Sequence, residues 1–212
     1  MEDVDNNPSK HSSPQKFLLS REQKPLGRTW EDWTIEWWQW VLSIEKDKNP
    51  GIDTTGSKFN PHQPYGNVIF LVGTFEGNAE RSYVIPKGKN IFFPIINFIT
   101  SYTEEPDLKT ESQLIARATQ DIDSIVNKRL IIDGFDLGDV EKYRIRSPVF
   151  DLTFPENNVF DFKPGPTKAI SDGYWIFLRP LTFGRHDIYA SGSCYYGKTT
   201  ESILWHLEVK DS

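Results

Sequence analysis

The chain has 212 residues, 37% hydrophobic and 14% aromatic, which is ample for a folded core and excludes an intrinsically disordered protein. Its 24 basic and 30 acidic residues give a formal charge of −6 with no basic run longer than Lys128-Arg129, so a phosphate-tracking nucleic-acid surface is excluded. No segment approaches the roughly 20 apolar residues of a membrane span, and the single Cys194 precludes an internal disulfide.

Residues 1–27 are read as a disordered or extended arm, with Phe17-Leu18-Leu19 as its one apolar knot. That knot is too short for the apolar core of a signal peptide, and with the lone cysteine it predicts a cytoplasmic, reducing location. Pro25-Leu26-Gly27 turns the arm into residues 28–212, expected to form one domain. Thr29–Trp40 holds five of the seven tryptophans, and the spacing predicts a helix over about 29–45 with Thr29 as N-cap and Asp32 suiting its positive end. Its apolar arc spans roughly 220°, about twice what a surface helix needs, so cover on two sides is expected. The second side, Trp38, Leu42 and Ile35, is expected to meet the arm's knot or a second subunit, which makes a homo-oligomer through this helix one reading.

Asn49-Pro50-Gly51 ends the helical region, and residues 51–66 read as a long irregular loop. Strand-like runs follow at 67–73, 82–85 and 90–96, with Glu76-Gly77-Asn78 as a turn. Thr110-x-x-Gln113 is a capping-box pattern that opens a second helix over about 110–128. Beyond it come strand runs at 130–132, 143–145, 149–154, 174–178, 186–190 and 204–209, punctuated by Asp133-Gly134, Pro164-Gly165, Asp172-Gly173 and Phe183-Gly184. Short strands at this spacing without βαβ alternation predict an α+β, mainly β chain: an antiparallel β-sandwich, with a jelly roll as one form, carrying two helices.

Trp33-x3-Trp37-Trp38-x-Trp40, Asn49-Pro50-x2-Asp53-x2-Gly56, Gln63, Phe70-Leu71-x-Gly73-Thr74, Ile85-Pro86-x-Gly88-Lys89, Phe93-Pro94-x2-Asn97 and Asp172-Gly173-Tyr174-Trp175 together resemble a family of uncharacterised, often secreted bacterial proteins. The likeness covers about residues 28–210 and implies a fold without a chemistry. It also implies cysteines near Phe59 and Tyr83, and so a disulfide in exported relatives, which this chain lacks.

The candidate ligand-binding residues are Asp53, His62 and Gln63 on the loop, Arg81, Asn97, and Trp38 at the edge of the tryptophan stripe. Arg81 suits bidentate recognition of a carboxylate or phosphate, and an exposed indole suits stacking on a flat ligand. Asp53, Gln63 and Arg81 are expected to converge near the rim of the sandwich. The alternatives are an internal lock for Arg81 and an Asx-turn for Asp53. Asp172 and His186 join Asp53 and Arg81 as acid/base candidates, and His206 is a further histidine able to act as base or ligand. No His, Cys or carboxylate spacing matches a metal motif, and Asp133, Asp136 and Asp139 read as a hairpin turn, so no metal and no cofactor are expected. Nucleophile motifs are absent. The leading expectation is a non-catalytic binding module for a small molecule, glycan or protein, with no nucleic-acid or membrane partner; the alternative is a small hydrolase or lyase with its acid/base residues in a cleft beside the tryptophan helix.

Overall fold

The computed structural model describes residues 16–60, 63–64, 66–75 and 77–211. In chain order the elements are α1 (Trp30–Ser43), β1 (Val68–Phe70), β2 (Asn78–Pro86), β3 (Asn90–Ser101), α2 (Glu111–Asp123), β4 (Val126–Ile132), β5 (Phe135–Asp136), β6 (Arg144–Arg146), β7 (Phe150–Phe154), β8 (Gly165–Leu178), β9 (Gly184–Cys194) and β10 (Thr199–Lys210). One sheet runs β1-β3-β8-β6 with β7 also paired to β8, and the other runs β2-β10-β9-β4-β5. The expected sandwich is present. Both sheets are mixed, since β1 is parallel to β3 and β2 is parallel to β10, which departs from an all-antiparallel jelly roll.

Alternation along the strands builds three layers. Ile91, Phe93 and Ile176 face the second sheet, where they join Leu130, Ile188, Ile203 and Trp205. Their neighbours Phe92, Trp175 and Phe177 point the other way and join Trp30, Trp33 and Trp37 of α1. Edge-to-face contacts fix this second interface: Trp33 meets Phe177 at 5.5 Å and Trp37 meets Trp175 at 5.4 Å between ring centroids.

Thr29 Oγ1 accepts from Asp32 N and Asp32 Oδ2 accepts from Thr29 N, both at 3.1 Å, so Asp32 completes a reciprocal cap as well as facing the helix dipole. Asn49 closes the other end of α1. Its Nδ2 donates to Val41 O at 2.7 Å and Ile44 O at 3.3 Å, while its Oδ1 accepts from Gly51 N at 2.8 Å. The capping box at Thr110 and Gln113 also forms. α2 stops five residues earlier than its periodicity suggests: Ser124 Oγ turns back to Asp121 O at 2.7 Å, and Asn127 adopts a left-handed φ of 54° on entering β4.

α1 is covered on two sides: Leu19 of the expected knot is buried in the same cluster as Trp38 and Leu42, and β7, to which the sequence does not point, joins it there. Trp38 and Leu42 are buried in one cluster with Phe150, Leu152 and Phe154 of β7 and with Val159, and Ile35 packs against the same cluster. Gln39 Nε2 ties this flank down by donating to Asp151 O at 2.8 Å. The arm's knot also extends the edge of β8: Leu19 N donates to Phe177 O at 3.0 Å and Arg179 N to Phe17 O at 2.7 Å. The arm then accepts two indole N–H groups, Trp30 Nε1 on Gln23 O at 2.9 Å and Trp33 Nε1 on Pro25 O at 3.0 Å. Two carbonyls of an irregular segment thus satisfy these indoles, whereas Nε1 of Trp175 and of Trp205 is buried without a partner among the described residues. No helix among the described residues is long and apolar enough to cross a membrane.

Candidate functional site

Gln63 and Arg81 hold the backbone from the end of β1 to Gly73, while Asp53 acts on its own loop. Gln63 pairs its amide with the Phe70 backbone, donating to its carbonyl at 3.0 Å and accepting from its N–H at 2.6 Å, as a neighbouring strand would. Arg81, 1% exposed, donates through Nη1 to Val72 O at 2.8 Å and Gly73 O at 3.1 Å. Asp53 caps its own turn, accepting from Thr55 N at 2.9 Å, Thr55 Oγ1 at 2.8 Å and Lys58 N at 2.8 Å. Burial pushes its carboxyl up, but those hydrogen bonds and the Arg81 charge outweigh burial and hold it below the ordinary carboxylate range. Asp53 and Arg81 thus interact by charge, while Gln63 meets neither directly. His62 lies outside the described residues. Phe59 and Tyr83, where the resemblance implies a disulfide, stack at 4.0 Å and 14° and hold the loop against β2.

The remaining acid/base candidates sit in pairs of their own. Asp172 takes a two-pronged bond from Arg144, Nε at 3.1 Å and Nη2 at 2.9 Å. Burial raises its pKa, with Arg144 opposing. His186 Nδ1 meets Asp133 Oδ2 at 2.7 Å and its Nε2 meets Thr182 O at 3.0 Å, so both ring nitrogens face acceptors. The Asp133 hydrogen bond raises its pKa against the opposing effect of burial. His206 bridges Asp187 at 2.7 Å and Glu80 at 3.0 Å across β9, β10 and β2. Asp136 pairs with Arg129 at 2.7 Å and Asp139 caps Glu141 N at 2.9 Å, as a hairpin turn requires. The partner sets of Asp53, Asp172 and His186 do not overlap, so the acid/base set expected for a hydrolase does not converge in one cleft. Among the described residues no group of three or more His, Cys, Asp or Glu is placed to hold a metal ion. Cys194 is buried and its thiol is pushed up to about 12, first by burial and then by Glu201, which makes it a poor nucleophile.

Trp38 and Asn97 come together in a cleft that opens between the two sheets beside α1. One wall is a continuous aromatic series: Trp37 to Trp38 at 4.9 Å, Trp38 to Phe75 at 6.5 Å and nearly parallel, Phe75 to Phe160 at 5.0 Å, and Phe160 to Phe162 at 5.4 Å. Facing it are Ile95 and Ile96, at a register shift in β3, with Ala190 and Ile203 of the second sheet. Gly192 makes room for this wall, since a Cβ there would lie 2.7 Å from Ile96 Cδ1. The empty space, counted to include solvent at the open mouth, is about 900 Å3.

A few polar groups enter this apolar space. Asn97 Nδ2 is buried and has no hydrogen-bond partner among the described residues. Trp38 Nε1 is occupied, donating to Ser171 Oγ at 3.0 Å, so its ring and not its N–H is what faces the cleft. Glu104 and Glu201 stand at the rim with Thr74 and Ser202. The Glu104 carboxyl is pushed up to about 7, first by loss of hydration and then by Glu105 and Asp121, with Arg117 opposing. The residue is exposed at the mouth, which weakens the first cause, so repulsion from the two neighbouring carboxylates is the firmer one. Phe75, Phe160, Phe162, Glu104 and Glu201 are not picked out by motif. Their one signal is the pair of phenylalanines in the Pro-, Asn- and Asp-rich stretch 155–164, where aromatic residues have no strand to serve.

No protein-family model matches the chain, and no curated protein matches it. Among solved structures, a chain from the complex of PbICP-C with falcipain-2 is similar over 68% of this chain and 100% of that one, at 8% identity and a TM-score of 0.28. A likeness at that level carries no argument.

Proposed function

We propose that the chain is a non-catalytic binding module for a small molecule, held in the cleft between the sheets against Trp38, Phe75 and Phe160. The observation that carries this reading is a contrast within one aromatic-lined concavity: apolar walls in quantity, and a buried donor, Asn97 Nδ2, with no partner among the described residues. Concave, mostly apolar sites with few convergent polar groups are where small molecules bind. A thermal-shift screen of small molecules and oligosaccharides, followed by tryptophan fluorescence, tests it. A true ligand at one hundred times its Kd raises stability by about 2.7 kcal/mol, and Phe160→Ala and Asn97→Ala should each remove most of that gain. Hits indifferent to both variants would place binding elsewhere and end this reading.

Glu104 favours a second reading as a hydrolase, because a carboxyl at the mouth of a cleft, raised by the repulsion of Glu105 and Asp121, is suited to act as a general acid. Turnover of chromogenic glycosides or esters that vanishes in Glu104→Gln would replace the first reading by this one. A cytoplasmic, reducing location is part of the proposal: Phe59 stacks on Tyr83 where the resemblance implies a disulfide, and Cys194 stands alone. Kinship with that bacterial family is likewise proposed. What supports it is that separate motifs meet in space, with Pro94 opposite Trp175 and Asn97 opposite Gly173 on paired strands.

A further inference from the structure

We infer that the ligand of this cleft is a neutral aromatic molecule carrying a carbonyl oxygen, an inference that rests on the binding reading above. Six aromatic side chains line the cleft, and among the described residues no Lys, Arg or His does. Its two carboxyl groups, Glu104 and Glu201, stand at the rim. A charge drawn in against the rings would lose its hydration, and burying a charge is costly unless an opposite charge meets it.

The rim does not supply that opposite charge. Glu201 is already engaged, accepting a hydrogen bond from the Cys194 thiol. Glu104 lies beside Glu105 and Asp121, and their repulsion favours its protonated form. Arg117, the basic group that acts on Glu104, is bonded to Glu105 at 2.7 Å and to Asp121 as well, so it is committed before any anion arrives. A neutral ring stacks on the same aromatic faces without an ion's hydration to lose. Those faces are set in advance: Trp38 Nε1 donates to Ser171 Oγ at 3.0 Å, and the Trp38 ring lies 6° from parallel to that of Phe75. Asn97 Nδ2 then calls for an acceptor. Among the described residues it is the buried donor of this lining without a partner, and a ligand carbonyl would relieve the cost of leaving it unmet.

Four probes built on one indane skeleton test this: 1-indanone with its carbonyl, indane with no polar group, the cation 1-aminoindane and the anion indane-1-carboxylate. Titrations on the full chain, followed by tryptophan fluorescence and calorimetry, should show 1-indanone binding about fivefold more tightly than indane and about tenfold or more above either ion. Asn97→Ala should bring 1-indanone down to the affinity of indane while indane binds as before, which also verifies that the variant keeps its cleft. An equal loss of both probes in that variant would overturn the inference and make Asn97 a packing residue. Indane binding as tightly as 1-indanone to the wild-type chain would overturn the carbonyl, and tightest binding of either ion would overturn neutrality; each leaves the binding reading standing, because a molecule is still bound. If none of the four binds at millimolar concentration the inference falls, and the binding reading falls with it when the thermal-shift screen yields no hit sensitive to Phe160→Ala.

Discussion

The loop at residues 51–60 and the cleft on the far side of α1 use similar residue types, amides and carboxylates set among aromatics, and treat them in opposite ways. Around the loop most polar groups are engaged internally: Asp53 with Thr55 and Lys58, Gln63 with Phe70, and Arg81 Nη1 with Val72 and Gly73, although Arg81 Nε is buried with no partner among the described residues. In the cleft Asn97 Nδ2 is buried without a partner among the described residues and Glu104 sits beside carboxylates that repel it. A buried polar group that is satisfied stabilises the fold, whereas one left unsatisfied costs roughly 1–3 kcal/mol and persists where something else uses it. Motif membership does not separate the two classes, since Asp53, Gln63 and Asn97 all belong to the resemblance. What separates them is that Arg81 also holds two carbonyls of the chain through Nη1, whereas Asn97 Nδ2 is unpartnered among the described residues and lines the cleft.

The contrast can be broken most directly at Arg81. Arg81→Ala removes the donor shared by two carbonyls and the charge facing Asp53, and a loss of about 3 kcal/mol is expected in urea unfolding. Affinity for any cleft ligand should be unaffected; a stable variant that no longer binds would move the site to the loop. Gly173→Ala comes next. An added Cβ would stand 2.8 Å from Asn97 Cα and 3.0 Å from Ile96 O, both backbone atoms that cannot yield cheaply. About 2 kcal/mol is expected from the forced strand shift, together with weakened binding because the cleft floor moves.

Asp53→Ala should cost about 1.5 kcal/mol through the loss of its turn bonds. Because its folded pKa is lowered, its contribution is present above the unfolded value of about 3.9 and is lost as pH falls through the folded value. A wild-type acid limb identical to that of Asp53→Ala would count against the capping role. His186 runs the other way. Its pKa is raised, so its pairing with Asp133 stabilises fully below about 6.5 and fades as pH climbs through the folded value. His186→Ala should therefore differ from wild type more at pH 6 than at pH 9. The smallest loss of stability is expected at the cleft itself: Asn97→Ala discards an unpartnered buried donor, so the variant should be at least as stable as wild type while binding the ligand more weakly. A large loss of stability there would mean Asn97 belongs with the locks.

Local signals were legible without coordinates. Thr29 and Thr110 announced both helix starts, because a cap is a bargain between residues three apart. Alternation marked Ile91 to Phe93 as strand, and the width of the tryptophan stripe required a helix covered on two sides. What covers it was legible only in part: β7 and the aromatics after it are more than a hundred residues away, while the nearer apolar knot adds Leu19 to the same cluster and takes a free strand edge on β8. The end of α2 was misplaced because Ser124 and a left-handed Asn127 outweigh an apolar period that runs on.

The site divides the same way. Sequence by itself determined the element types, the aromatic helix and the acidic, cysteine-poor composition, since each depends on neighbours along the chain or on counts. Tertiary structure alone decided that Arg81 is a lock and Asn97 is not, and that Trp38, Phe75, Phe160, Glu104 and Glu201 share one cleft. Those residues come from a helix, two loops, a turn and a strand, with no common period to betray them. Whether a polar side chain is satisfied depends on which distant carbonyl the fold brings within reach, and that distance is set by packing.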